Sequence, residues 1–230
     1  MTTTPALRMS GISKSFPGIH ALTDVGLSVD AGEVHAIVGE NGAGKSTLMK
    51  ILAGVHQPDA GEIELNGHPA KLADPIEARR RGIGMVYQEL NLVPDLTVAE
   101  NILLGSTPSR WGIVDRRALR SRARAVLDEL DARINTDELV GSLTVSQQQI
   151  VEIAKVYASS PAIVVLDEPT SSLSEHETQS LFRIIRRMTT AGIAVIYISH
   201  RLREVLDIAQ RVTVLRDGRL VETRSTDGIS

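Results

Sequence analysis

The chain has 230 residues, 42% of them hydrophobic, 23% charged and only 3% aromatic, with a formal net charge of −3 and no cysteine. That is room for one or two domains with an aliphatic core. It excludes disulfides, thiolate zinc sites and iron–sulfur clusters, and it gives no electrostatic case for nucleic acid as the main partner. Met1 to Ser13 lacks the apolar h-region of a secretory signal, and runs such as Ala162 to Leu166 are far too short to span a bilayer. Work at a membrane would therefore need another chain to cross it. No internal repeat or low-complexity tract interrupts the sequence.

In chain order, Leu27 to Val29 alternates like a strand. Val34 to Val38 is a short apolar run that enters a glycine-rich turn, and a helix is expected from about Lys45 to Leu52. Gly61 to Asn66 reads as a strand ending in an Asn66-Gly67 turn, and Ile83 to Tyr87 as a buried strand. From about Leu90 to Ser160 the signals are mostly helical. Thr97 and Glu100 have capping-box spacing, and Asp115 can cap a long arginine-rich helix with Leu119, Val126, Leu127 and Leu130 on its apolar side. Ile150, Ile153 and Tyr157 recur at helical spacing. The α/β pattern then returns with the apolar strand Ala162 to Leu166. Ser174 and Glu177 form a capping box ahead of the stripe Leu181, Ile184, Ile185 and Met188. Ile193 to Ile198 is a second apolar strand, followed by a short helix. Arg211 to Leu215 and Arg219 to Glu222 flank an Asp217-Gly218 turn and read as a closing hairpin.

Between the strand at Val34 and the helix at Lys45 lies Gly39-Glu40-Asn41-Gly42-Ala43-Gly44-Lys45-Ser46, with Thr47 next. This fits the phosphate-binding loop. Glycines let consecutive backbone N–H groups surround phosphate oxygens, and the helix N-terminus points its positive dipole end at the same anion. Lys45 can reach β- and γ-phosphates, and the Ser46 hydroxyl can ligate Mg²⁺. A glycine-rich turn that merely precedes a helix is the ordinary alternative. At usual glycine abundance, however, the four-position pattern arises by chance in about one chain in a hundred.

Asp167 and Glu168 end the strand that begins at Ala162, at the carboxyl edge where α/β sheets gather ligands. Asp167 is placed to hold Mg²⁺, and Glu168 to accept a proton from an attacking water. Alone, the pair reads equally well as a solvated turn before Pro169; the phosphate loop decides against that. His200 closes the strand Ile193 to Ile198. A lone histidine is usually structural, but at this edge it can contact a γ-phosphate or hold the attacking water. Gln88, after Tyr87, can ligate Mg²⁺ and touch the same water; by itself it would carry no signal.

These elements, in this order, resemble the ABC ATPase family over nearly the whole chain. Gly39 to Thr47 resembles its Walker A, Gln88 its Q-loop, Ile163 to Thr170 its Walker B with the catalytic glutamate, and His200 its H-loop histidine. The resemblance implies an α/β P-loop NTPase core of ABC ATPase type with an N-terminal antiparallel β subdomain and an inserted helical subdomain. One nucleotide-binding domain would cover residues 1–230, with core and β subdomain at about 1–88 and 161–230 and the helical part at about 89–160. It implies ATP and Mg²⁺ as ligands and adenine stacking on Phe16, whose alternative is one more core side chain. It also implies a second nucleotide-binding domain, a fused half or a dimer mate, that completes each ATP site with its signature loop.

The signature loop departs from Leu-Ser-Gly-Gly-Gln: this chain has Leu143-Thr144-Val145-Ser146-Gln147. Thr144 keeps a hydroxyl for the γ-phosphate, while Val145 and Ser146 replace both glycines and put close backbone approach in question. The D-loop aspartate is replaced by Ser174, which has a sufficient role as a helix cap. Val38 to Thr47, Tyr87 to Leu92, Gln147 to Lys155 and Tyr197 to Arg201 resemble the first half of the ribose, galactoside and xylose importer ATPases, typically two such halves in one polypeptide. By that resemblance the chain is a peripheral ATPase on the cytoplasmic face of the membrane. Its partners would be permease subunits and a periplasmic or extracellular solute-binding protein, with no nucleic acid, and its cargo a monosaccharide. Two alternatives stand beside it. A non-transport ABC ATPase would usually carry coiled-coil insertions, zinc cysteines or basic linkers. Here only the stretch Arg116, Arg117, Arg120, Arg122 and Arg124 is basic, and a solvated helix face explains it. A catalytically weak regulatory module is kept open by the altered signature loop.

Overall fold

A computed structural model describes residues 4–110 and 113–228. Near the N-terminus, β1 (Leu7–Phe16) and β2 (Ile19–Val29) form a long hairpin that β4 (Ala60–Leu65) and β5 (His68–Pro69) extend into an antiparallel sheet ordered β2-β1-β4-β5. The second sheet is mixed. Its order is β12-β11-β3-β10-β9-β6, built from β3 (Val34–Val38), β6 (Ile83–Val86), β9 (Ile163–Asp167), β10 (Ala194–Ile198), β11 (Arg211–Arg216) and β12 (Arg219–Ser225). All its pairs are parallel except the β11–β12 edge hairpin.

The sequence dictates this centre. Parallel strands covered on both faces read as unbroken apolar runs, and β3, β10 and the first four residues of β9 are buried throughout. Alternate residues serve the two faces. Ala36, Val38, Val164, Leu166, Val195 and Tyr197 pack under α5 (Val145–Tyr157) and α6 (Glu175–Thr190). Ile37, Val165, Ile196 and Ile198 pack against α1 (Lys45–Leu52) and the antiparallel sheet. The buried ring of Phe182 on α6 meets Tyr197 edge-on, centroids 6.1 Å apart. His35 in β3 is fully buried; its two ring nitrogens bond to Glu33 at 3.0 Å and Thr213 at 2.7 Å.

Between β6 and β9 the chain is mainly helical: α3 (Val98–Ile102), α4 (Arg116–Glu129) and α5, with a 3₁₀ turn at Val140–Ser142. Both capping boxes expected from sequence are formed, at Thr97/Glu100 and Ser174/Glu177, and Asp115 caps α4. The remaining short helices are α2 (Pro75–Arg80) and α7 (Leu202–Ile208).

Several expectations need correction. β1 has no counterpart in the sequence pattern because its alternation is broken at Gly11 (φ 65°), where the register shifts against both neighbours. The stretch 90–160 also holds a small hairpin, β7 (Ser109–Arg110) and β8 (Ile113–Val114), whose Ile113 and Val114 are exposed and so give no burial signal. On α5 Ile150, Ile153 and Tyr157 all pack on the core, but the most buried seam is shifted. Val151, Ile153 and Ala154 are buried together with Gln149 and Glu152, while Ile150 and Tyr157 are half-buried.

Glu152 lines a cleft of about 420 Å³ between this helical layer and β6, together with Tyr87, Asn91, Leu104 and Lys155. Burial raises its pKa, against the opposing pull of Lys155, whose Nζ lies 3.7 Å from Oε2; that oxygen has no hydrogen-bond partner among the described residues. A carboxyl whose folded-state pKa is raised supports the fold fully at acidic pH, and that support is lost as pH rises through the folded value. Glu152→Gln removes the penalty. Urea unfolding at a series of pH values should show the variant more stable than the parent at neutral pH, with the difference vanishing below the ordinary carboxylate range.

Candidate nucleotide site

The parallel register sets the site. Ile37 pairs with Ile198, Ile198 with Asp167, and Val86 with Leu166. The carboxyl ends of β3, β10, β9 and β6 therefore lie side by side on one edge. The residues that follow them are, in that order, the loop 39–44, Ser199-His200, Glu168 and Tyr87-Gln88. Residues from 39 to 200 in sequence thus come to one edge without any long side chain having to reach.

The loop has a conformation only small residues can hold. Gly44, the N-cap of α1, has φ 101°, and a Cβ there would meet Leu22 Cδ2 at 2.7 Å and the Ala21 carbonyl at 2.8 Å. A Cβ on Gly39 would meet the Leu215 carbonyl of β11 at 2.3 Å. The loop is thus wedged between β2 and β11. It is tied to the Asp217-Gly218 turn as well: the Gly218 amide donates to the Ala43 carbonyl at 3.2 Å, and the Gly218 carbonyl accepts from Thr23 at 2.8 Å. Nothing in the sequence pattern marks Gly218 as a support of this loop; its turn signal explains it as a hairpin residue.

Lys45 is buried, and its Nζ donates to the carbonyls of Gly39 at 2.7 Å and Glu40 at 3.0 Å, which leaves one of its three hydrogens for a ligand oxygen. Glu40, Asn41, Gly42 and Ser46 are exposed, Gly39, Gly44 and Thr47 half-exposed, and Ala43 buried. The first four amides of α1 have no partner within the helix by geometry alone, so the loop presents donors to an anion.

Asp167 is half-buried at the end of β9. Burial, and then the charge of Glu168, raise its pKa, while Lys45 and Lys50 pull it down. Lys45 and Lys50 offset that rise only in part, so the carboxylate calls for more positive charge. A divalent cation would supply it, and the hydroxyl of Ser46, the carboxylate of Asp167 and the amide of Gln88 fit Mg²⁺, which takes few protein oxygens and completes its shell with phosphate and water. Gln88 is exposed just beyond β6.

Glu168 takes the left-handed region, φ 47°, immediately before Pro169, a costly conformation for a residue with a side chain. Its amide donates to the Ile198 carbonyl at 3.0 Å, and its Oε1 lies 3.2 Å from His200 Nδ1. Glu168 is mostly covered, while the imidazole of His200 is open to solvent. The two residues predicted separately from sequence are thus in direct contact.

Two residues lie apart from this edge or are otherwise engaged. Phe16 is not a core side chain: it is 36% exposed at the β1–β2 turn, edge-on to His56 at 5.2 Å, with Lys14 Nζ 5.7 Å from its centroid. Thr144 is the N-cap of α5 in a full capping box; its hydroxyl accepts from the Gln147 amide and donates to Gln147 Oε1, each at 3.3 Å. Val145 and Ser146 begin the helix with ordinary backbone angles, so the missing glycines cost the backbone nothing. They change bulk instead: Val145 is 51% exposed at the helix tip.

The three-layer fold and the loop at Gly39–Thr47 define a P-loop nucleotide-binding domain. A profile of the family described as ABC transporter matches residues 22–171, and the chain belongs to that family. It is 59% identical over 228 residues to the Putative ribose/galactose/methyl galactoside import ATP-binding protein 3 of Agrobacterium fabrum, covering 99% of this chain and 46% of that protein. It is 51% identical over 219 residues to the Arabinose import ATP-binding protein AraG of Azospirillum brasilense, covering 95% of this chain and 42% of that one. The chain spans about half the length of the curated relatives it matches. A nucleotide-free ATP-binding cassette from an ABC transporter superposes with TM-score 0.87 at 27% identity, over 96% of this chain and 91% of that one. A dimeric cassette in a post-hydrolysis state bound to ADP and Pi gives 0.82 at 27% identity, over 97% and 100%.

The packing at Gly44 generates a direct test. Gly44→Ala places a methyl group against backbone at positive φ, so urea unfolding should show a loss of about 1–3 kcal/mol or more. The same change at Gly42, whose Cβ would meet nothing within 4 Å, carries only the φ penalty and should cost less.

Proposed function

We propose that this domain binds and hydrolyses MgATP as one half of the ATPase of an ABC importer for a monosaccharide. The observation that carries the reading is the single edge on which the Lys45 loop, Asp167, Glu168, His200 and Gln88 meet. Sugar as the cargo class rests on the names of the relatives, which are ribose, galactose and arabinose import ATP-binding proteins.

In this reading the amides of the loop 39–47 and the Lys45 ammonium hold the triphosphate, and Phe16 stacks on the adenine. Ser46, Asp167 and Gln88 hold Mg²⁺, which neutralises phosphate charge when bound. Glu168 takes a proton from the water that attacks the γ-phosphorus as the bond to the β–γ bridging oxygen breaks. His200, bonded to the Glu168 carboxylate, orients that carboxylate and faces the γ-phosphate. A second nucleotide-binding domain, fused or as a dimer mate, brings a signature loop over the site; the dimeric cassette bound to ADP and Pi supports that arrangement. The tip of α5, with Thr144, would serve the partner's nucleotide in return, and its hydroxyl would have to leave Gln147 to donate there.

Gln88 opens the helical part at about 89–160, next to the cleft below β6, and a membrane permease engaged there would feel whether Gln88 is bound to nucleotide. No helix among the described residues is long and apolar enough to cross a membrane. In this reading the domain acts from the cytoplasmic face on membrane subunits that a solute-binding protein supplies.

In the complete transporter, Glu168→Gln should keep MgATP affinity within about twofold while turnover falls by about a hundredfold or more, the scale of a lost general base. Wild-type turnover by that variant would remove Glu168 from the base role.

A further inference from the structure

Glu204 lies on α7, outside every motif singled out in the sequence, and is 8% exposed. Its carboxylate gathers four donors. Oε2 accepts from Thr170 Oγ1 at 2.6 Å, from Tyr197 OH at 2.9 Å and from Ser199 Oγ at 3.3 Å; Oε1 accepts from Arg201 Nη1 at 2.9 Å. These donors come from two separate chain segments. Thr170 belongs to the turn after β9, two residues beyond Glu168. Tyr197, Ser199 and Arg201 belong to the end of β10, and the last two flank His200 directly. The Ser199 hydroxyl also accepts from the Arg201 amide at 3.0 Å, which closes the turn around His200.

We infer that Glu204 is a positioning residue for hydrolysis: its buried carboxylate clamps the Glu168 turn to the His200 turn and so fixes the separation of that pair. This rests on the proposed roles of Glu168 and His200. The need for a clamp is visible in the backbone. Glu168 is held at φ 47° before proline, and such strain persists only where surrounding contacts over-determine it. The Glu168 amide bonds to the Ile198 carbonyl and the Thr170 hydroxyl to Glu204, with longer contacts from Thr170 to Tyr197 OH at 3.4 Å and from Arg201 Nη2 to the Ser171 carbonyl at 3.5 Å. The amide bond sets the main chain of Glu168, and the bond from Thr170 to Glu204, the shortest of the others, sets the turn that follows. Glu204 bonds to Thr170, Tyr197, Ser199 and Arg201 and to neither Glu168 nor His200, so it acts on that pair through the turns. Burial would raise its pKa, but the bonds from Thr170, Arg201 and Tyr197 outweigh that and hold it ionised, as an acceptor of all four donors requires.

The test uses the complete transporter and three changes, Glu204→Ala, Thr170→Val and His200→Ala, alone and combined. Thr170→Val keeps the shape of residue 170 and all other bonds to Glu204, so it remains informative if Glu204→Ala folds poorly. Displacement of a reacting group by about 1 Å costs on the order of a hundredfold in rate. Glu204→Ala should therefore lower kcat by about tenfold to a hundredfold with KM for ATP within about twofold, and Thr170→Val by about threefold to tenfold. In a His200→Ala background both losses should shrink to less than about twofold, because groups acting through one pair are not additive. Full additive losses in that background, or a rise in KM with kcat intact, would assign Glu204 a structural role only and overturn the inference. So would parental kcat in both Glu204→Ala and Thr170→Val beside an inactive Glu168→Gln. Parental turnover in Glu168→Gln would instead remove Glu168 from the base role, and this inference with it.

Discussion

Everything in this molecule depends on the parallel hydrogen-bonded ladder that joins β3, β10, β9 and β6. The ladder aligns Ile37, Ile198 and Asp167 in one row and leaves the next residues of each strand at a common edge. A shift of one residue in any pair would turn that strand's side chains to the opposite face and carry its functional residue off the row. Burial on both faces prevents the shift. Val164, Leu166 and Tyr197 fill one side and Val165, Ile196 and Ile198 the other, so either face penalises a slip.

Onto this rigid edge the chain places its strained segments. Gly44 at φ 101° is open only to glycine, and Glu168 at φ 47° is a conformation that a free loop would not keep. Each is held by neighbours from distant parts of the sequence: the phosphate loop by β2, β11 and the Gly218 turn, and the Glu168 turn by Ile198 and Glu204. The result is pre-organisation. Donors, carboxylates and imidazole are set by the core rather than by the ligand, the arrangement that electrostatic stabilisation of a phosphoryl group requires. Asp167 shows what this demands, since its carboxylate sits where burial and Glu168 disfavour its charge.

Much of this was legible in the sequence because the signals are local. The apolar runs of β3, β9 and β10, the capping residues Thr97, Asp115 and Ser174, and the Asp217-Gly218 turn each state their structure within a few residues. So does the phosphate loop. What was hidden depends on contacts between distant segments. β1 loses its alternation to a bulge at Gly11. Glu152 and Gln149 look like a polar face of α5 until tertiary packing buries them. That Phe16 sits half open at the hairpin tip needs the β1–β2 pairing before it can be seen. Glu204 reads as one acid on a short helix, and its partner Thr170 is 34 positions away. The contact between Glu168 and His200 likewise needs the β9–β10 pairing before it can be seen.

The central claim is that the Lys45 loop and the β9 carboxylates face one nucleotide-bound cation. Crystals of the chain grown with ATP and Mn²⁺ in place of Mg²⁺ would locate that cation by its anomalous scattering. A single manganese peak within coordination reach of both the Ser46 hydroxyl and the Asp167 carboxylate, next to phosphate held by the loop amides, is the predicted result. A nucleotide-bound manganese with Asp167 and Glu168 turned away from it, or a peak at another edge of the sheet, would contradict the account.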